Sequence, residues 1–191
     1  HGLLEQRRAR RSTTDARVAV AASLTDGTEQ AIVWCELNDE QDAIASILGD
    51  SCVSIDGKTH DDLKVERCER WLTGGVKVLV TKPAMFGFGI NMQNCHRVIF
   101  IGASNSYERT YQAIRRCWRF GQTLPVDVHI VASELEGAVI ENYRRKEADA
   151  AKMAAEMTAH VGDAVRAEVR GLSKEWNEYQ PKEEMKVPRW L

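Results

Sequence analysis

Cysteine is scarce and poorly placed for a scaffold: the five cysteines stand at 35, 52, 68, 95 and 117, an odd number at irregular spacing with no Cys-x-x-Cys. No histidine accompanies them at metal-ligand spacing, so the sequence argues against a disulfide framework and against a zinc or other metal site. Inside apolar runs such as Trp34-Cys35 they read as small core residues of a reduced compartment. Long apolar runs are also missing. With no signal peptide and no stretch of about 18 apolar residues, the expectation is a soluble chain without membrane contact, cytoplasmic or, in a eukaryote, nuclear. Nor does charge of one sign dominate. The net charge of −2 hides an uneven layout, with Arg7, Arg8, Arg10 and Arg11 near the start and Glu175, Glu178, Glu183 and Glu184 near the end. Bulk charge therefore neither demands nor excludes a nucleic-acid partner.

What is present is a chain of 191 residues, 43% hydrophobic and 28% charged, enough for a substantial core in one domain with appendages. From Ala31 to Leu37 runs a strand-like stretch, followed by Asn38-Asp39-Glu40-Gln41, which reads as a helix start with Asn38 as N-cap and Gln41 three residues in. That helix carries Ala43, Ile44, Ile47 and Leu48 and stops at Gly49. Cys52 to Ile55 reads as a second strand, and Thr59 with Asp62 opens a helix that ends at Gly74-Gly75. Val76 to Val80 is a third strand, Arg97 to Ile101 a fourth, and Val126 to Val131 a fifth. A helix from about Ser106 to Phe120 fills the gap before the fifth strand, and a long helix opened by Ser133 with Glu136 follows it. Near-continuous β-branched runs imply strands buried on both faces. Strands alternating with helices give an α/β fold, a mostly parallel sheet covered on both sides. The layout divides into a helical segment at 1–25, a sheet-bearing domain at 26–137, and a helical extension with an extended tail at 138–191. The start at His1-Gly2 reads as that of an excised fragment.

Within the helix expected over 106–120, Gln112, Arg116 and Arg119 recur at i, i+4 and i+7, within about 60° of one another on a helical wheel. Tyr107, Tyr111, Ile114 and Trp118 repeat on another face and are expected to fix the helix to the sheet. Guanidinium groups are permanently charged planar donors. Two of them held on a rigid helix suit the charge that develops on a transferred phosphoryl group.

The run Gln112-Ala-Ile-Arg-Arg116-Cys-Trp-Arg119-Phe-Gly121-Gln122 resembles motif VI of superfamily-two helicases, particularly the Swi/Snf-like branch. The resemblance implies a RecA-like three-layer fold in which Arg116 and Arg119 act as arginine fingers on the γ-phosphate of ATP, with Gln112 opening the motif at the nucleotide. The loop after the third strand, Thr81-Lys82-Pro83-Ala84-Met85-Phe86-Gly87-Phe88-Gly89-Ile90-Asn91-Met92, resembles motif V of the same family. Its glycines permit close backbone approach at the carboxyl end of a parallel strand, where α/β folds take ligands. By this likeness Gly87, Gly89 and Asn91 line the ATP cleft, while Thr81 and Lys82 touch the nucleic-acid backbone. Asn38 occupies the motif IV position, and the turn carrying Lys58 faces the nucleic-acid strand. A point charge at Lys58 and a neutral donor at Asn38 suit phosphate contact, although a plain turn remains the alternative for Lys58.

Gly57-Lys58-Thr59 imitates the end of a phosphate-binding P-loop, but the position where the first glycine belongs is Cys52, inside a strand. The chain has no complete Walker A loop and no strand ending in the Asp-Glu pair of a Walker B motif. Gly-x-Gly-x-x-Gly is likewise missing after the first strand, where Glu36-Leu37-Asn38 stands, which argues against a Rossmann enzyme. The expectation is thus the C-terminal RecA-like half of an ATP-dependent DNA helicase or translocase, RNA remaining open. ATP, with Mg²⁺ held mainly by an N-terminal RecA-like domain of the same protein, is the implied cofactor. The alternative is a noncatalytic nucleic-acid-binding or regulatory module of the same fold. Arg7, Arg8, Arg10 and Arg11, like Arg144, Arg145 and Lys146, read as solvated helical faces ahead of nucleic-acid contacts. Trp176 and Trp190 in the polar tail have no assigned role.

Overall fold

The computed structural model describes residues 8, 10–27, 30–85, 90–104 and 106–169, with side chains through 162. The chain divides into two compact units, residues 1–148 and 149–191. Five strands make up the sheet: β1 Ala31–Cys35, β2 Cys52–Ile55, β3 Val78–Thr81, β4 Arg97–Ile101 and β5 Asp127–Val131. Their order across it is β2-β3-β1-β4-β5, and every pairing is parallel. Among the described residues the helices include α1 Thr14–Ser23, α2 Asn38–Leu48, α3 Asp61–Leu72, α4 Tyr107–Ile114 and α5 Gly137–Val169.

The side-chain period of two sorts the central strands into two cores. On one face Ala31, Val33 and Cys35 of β1 join Val78, Val80, Ile99 and Ile101, and Val18, Ala21 and Ile44 of α1 and α2 close over them. On the other face Ile32 and Trp34 join Val53, Ile55, Leu79, Val98 and Phe100, under Cys68 and Trp71 of α3 and Ala113 and Cys117 at α4. The central strands β1 and β3 are buried along their whole length, as their apolar runs require. The expectation fails at β5, where Val128 and Ile130 are both more than a third exposed, because this strand lies at the edge with β4 as its one neighbour.

The helix expected to open at Thr59 is capped by His60 and runs Asp61–Leu72, and two further helix boundaries differ from expectation for a long-range reason. The N-cap of α2 is Leu37, not Asn38, and the capping carboxylate is Glu40, not Gln41. Glu40 Oε2 accepts from the amides of Glu36 and Leu37 at 3.1 and 3.0 Å. Gln41 is instead buried and donates to Ser54 Oγ and to the Ile55 carbonyl, both at 2.9 Å, pinning α2 to β2.

The second departure concerns the arginine motif. α4 ends at Ile114, and residues 115–121 run through turns, so Gln112, Arg116 and Arg119 do not share one helical face. Of the expected apolar stripe, Ile114 packs against the sheet's core and the rest does not. Thr110, Ala113 and Cys117 are the buried positions, whereas Tyr107 stacks on Tyr111 and tilts against Tyr143 of α5, and Trp118 is half exposed. The helix stops because the Arg116 carbonyl accepts from Met92 N at 3.0 Å and Gly121, at φ 98°, takes a left-handed conformation that a side chain would strain. By contrast, Ser133 and Glu136 form the capping box read from sequence, which starts a short 3₁₀ turn leading into α5.

Candidate nucleotide and nucleic-acid site

The carboxyl ends of β1, β2 and β3 lead into three of the candidate residues, Asn38, Lys58 and Lys82. Beyond β1 and β3, Asn38 at the start of α2 accepts a hydrogen bond through Oδ1 from Lys82 Nζ. Beyond β2, Lys58 is exposed on a turn built by Asp56, whose Oδ1 accepts from Lys58 N at 3.0 Å, Thr59 N at 2.8 Å and the Thr59 hydroxyl at 2.7 Å. The Thr59 hydroxyl above all, with the two amides, holds the Asp56 carboxyl below its ordinary pKa against the opposing effect of burial. These amides are the donors that a P-loop would turn onto a phosphate, and here a carboxylate takes them. Gly57-Lys58-Thr59 is thereby a turn and not a phosphate cradle.

Because β2, β3 and β1 are neighbours in the sheet, Lys58, Lys82 and Asn38 line one edge. Thr81 does not join them. Its side chain is fully buried and its hydroxyl donates to the Ile55 carbonyl at 2.8 Å, so the expected contact with a polymer gives way to a tie between β3 and β2.

The arginine motif separates its two cations. Arg116 is half buried, with its guanidinium carbon 6.0 Å from the centre of the Trp34 ring, and burial lowers its pKa. A guanidinium stays charged at any relevant pH, so the lost hydration is offset by the face of the indole. Trp34 is itself stacked on Phe100, and the arginine thus rests on a rigid floor. Arg119, three residues later, is exposed, and among the described residues its guanidinium has no partner. Arg115 lies over the Trp118 ring at 5.1 Å, which gives this residue a local role. Gln112 is exposed on α4.

Asn91 engages Gln93 twice: its amide donates to Gln93 Oε1 at 2.8 Å, and its oxygen accepts from Gln93 N at 3.2 Å. The Gln93 side chain in turn donates to the Phe120 carbonyl. From the other side the Gln122 amide donates to the carbonyls of Gln93 at 3.1 Å and Cys95 at 3.3 Å. The residues of the two expected motifs are therefore stitched together, so a shift of one loop moves the other. Gly87 and Gly89 lie outside the described residues, as do Arg7, Trp176 and Trp190.

Sequence reasoning missed a buried ionic cluster on the face covered by α1 and α2. Arg10, expected on a solvated face, donates through Nε to Glu40 Oε1 at 3.1 Å, and Arg17 donates through Nη1 to the same oxygen at 2.7 Å. Glu136 completes it, 4.0 Å from Arg10 and 3.7 Å from Arg17. Arg17 is 3% exposed and Glu40 fully buried. The signal that was available is the spacing of Arg10 and Arg17, seven residues apart in a helix-compatible stretch. Among the described residues no group of three or more His, Cys, Asp or Glu is placed to hold a metal ion, and no helix is long and apolar enough to cross a membrane.

A family model described as the helicase conserved C-terminal domain matches residues 16–121, more than half of the chain. No curated protein matches. Among solved structures, the C-terminal part of the Fun30 ATPase domain is similar at 19% identity and TM-score 0.52, over 60% of this chain and 39% of that one. The E. coli DEAD-box protein SrmB, bound to regulator of ribonuclease activity A, is similar at 18% identity and TM-score 0.62, over 70% of this chain and 79% of that one. The C-terminal domain of the DEAD-box protein Dbp5 is similar at 15% identity and TM-score 0.59, with the same coverages. At such identities the likeness shows the fold, a RecA-like three-layer domain, and the chain spans only 39% of the Fun30 structure. With a parallel sheet of this order and a family model that covers its strands through β4 and runs to Gly121, the chain belongs to the helicase conserved C-terminal domain family.

Proposed function

We propose that the chain is the C-terminal half of a nucleic-acid-dependent ATPase that moves along DNA, and that it supplies Arg119 as the principal finger and Arg116 as its support. The observation that carries this reading is the division of labour between the two. Arg116 is seated on Trp34, whereas Arg119 is exposed and among the described residues has no partner within the chain. An exposed planar cation on a turn braced by Gln93 and Gln122 is what a phosphoryl group presented by a second domain would meet.

ATP fits these residues as one wall of a site. The arginines offer donors to the terminal phosphate, and the P-loop-like turn at Gly57-Lys58-Thr59 offers no cradle, since the Lys58 and Thr59 amides already bind Asp56. The bound nucleotide with Mg²⁺ would supply the phosphoryl group, its metal held by an N-terminal RecA-like domain of the same protein. Lys58, Lys82 and Asn38, along the strand ends, are placed to contact a phosphate backbone without reading sequence. The resemblance of motif VI to Swi/Snf-like proteins favours duplex DNA over RNA. In this reading nucleotide binding draws the two domains together and hydrolysis releases them, moving the strand-end groove along the polymer.

Arg119→Ala in the full-length protein is expected to lower DNA-stimulated ATP turnover by on the order of 10³-fold while ATP binding is largely kept. Unchanged turnover would sink the finger assignment. A matched RNA in place of DNA, if it stimulated turnover better, would overturn the choice of polymer and leave the finger intact.

A further inference from the structure

The crevice outside the carboxyl ends of β1 and β4 is the point where the strand order reverses, since the chain runs from β1 to β2 and β3 on one side and then crosses to β4 on the other. Open parallel sheets take ligands at such a point. Here the protein fills the crevice itself. Arg10 lays its guanidinium across the end of β4, donating through Nη2 to the Ile101 carbonyl at 2.8 Å and through Nη1 to the Ala103 carbonyl at 3.1 Å, while Nε holds Glu40. The residue between those carbonyls is Gly102, at φ 89°, and a Cβ there would stand 2.2 Å from Arg10 Nη2. Glycine at 102 is thus the condition for Arg10 to lie where it does.

The groups joined by this guanidinium come from separate parts of the chain. Glu40 caps the amides of Glu36 and Leu37, next to Asn38. Ile101 and Ala103 lead through Ser106, whose hydroxyl oxygen accepts from Arg109 N at 3.3 Å, into α4 and on to Arg116 and Arg119. Arg17 and Glu136 balance the charge, so that two cations face two carboxylates.

We infer that Arg10 is a positioning residue that couples the segment ahead of α1 to the β4–α4 loop, and through it to the arginine motif. The inference rests on the proposed function, in which the ATP-bearing domain precedes this chain and its connection passes through residue 10. Movement of that connection then reaches Ile101 and Ala103 directly, by two hydrogen bonds, without crossing the sheet.

The test uses the full-length protein with Arg10→Lys, Gly102→Ala, Arg10→Ala and the Arg10→Ala/Gly102→Ala pair. Lysine keeps a cation against Glu40 but has no fork to span both carbonyls. Arg10→Lys should remain folded and lower DNA-stimulated kcat by about tenfold, with KM for ATP and unstimulated turnover within about twofold of the parent. A loss shared equally by stimulated and unstimulated turnover, or no loss at all, would overturn the positioning role. The shift of the urea midpoint caused by Gly102→Ala should be smaller in the Arg10→Ala background, because the clash is gone and only the backbone strain remains. Additive shifts would refute the contact itself. Arg119→Ala in parallel separates the two readings: if it is silent the finger fails, and the midpoint cycle still decides whether Arg10 and Gly102 are coupled.

Discussion

Replacing Glu40 with glutamine removes one negative charge from a buried cluster and leaves two cations facing Glu136 alone. In the native chain Glu40 Oε1 lies 2.7 Å from Arg17 Nη1 and 3.1 Å from Arg10 Nε, and its other oxygen caps two amides. Removing one partner of a buried ion pair costs about 3–5 kcal/mol. Glu136 remains 3.7 and 4.0 Å from the two guanidiniums, and a glutamine oxygen keeps part of the cap, which brings the expected loss to about 2–4 kcal/mol. Against a total stability of about 5–15 kcal/mol this is a large fraction. Urea unfolding of the chain at pH 7, followed by circular dichroism, should show the midpoint falling by about 1–2 M.

The pH dependence supplies an independent check. Burial opposes ionisation of Glu40, but the Arg10 charge, the Leu37 amide and Arg17 outweigh it and hold the carboxyl below its ordinary value of 4.5. A folded-state pKa lower than the unfolded one contributes stability that is complete above the unfolded value and is lost as pH falls through the folded value. Parent and Glu40→Gln should therefore differ by a constant amount above about pH 5, and the gap should close as the solution is acidified below about 4.5. A gap under about 0.5 kcal/mol at pH 7, or one that widens on acidification, would refute the assignment of Glu40 as the ionised centre of the cluster.

Thr81 and Lys82 adjoin in sequence and should part in behaviour. Thr81→Val is expected to cost about 1 kcal/mol through the lost bond to Ile55, with nucleic-acid affinity unchanged. Lys82→Ala should weaken binding about uniformly across sequences and reduce the salt slope by about 1, read by fluorescence anisotropy of full-length protein over a KCl series. Gly121→Ala places a Cβ 3.2 Å from Gln93 Nε2 in a left-handed backbone, and should destabilise by about 1–2 kcal/mol in the same urea assay; a neutral result would show that the turn does not depend on glycine.

The strands were the most legible part of the fold. Cys52–Ile55 and Arg97–Ile101 run where their apolar patterns place them: β4 is buried on both faces beyond Arg97, and edge strand β2 buries Val53 and Ile55 on one face. At β3 the pattern begins at Val76, which is buried, but the parallel ladder begins at Val78, opposite Ala31 and Cys52. Side-chain burial is written locally, whereas pairing is decided by the neighbouring strand.

Composition and spacing by themselves determined the fold class, the family resemblance and the positions of Arg116 and Arg119, since a motif is a matter of residue type and interval. Tertiary structure alone decided what those residues do. The periodicity of 106–120 is helical throughout, yet the chain leaves the helix after Ile114, since Met92 meets the Arg116 carbonyl and Gln122 meets those of Gln93 and Cys95. Arg10 looks like one of several surface cations until the fold carries Glu40 and the end of β4 to it, 30 and more than 90 residues away. Contacts across such separations depend on sheet order, and no local pattern of residue types encodes which charge will be buried against which.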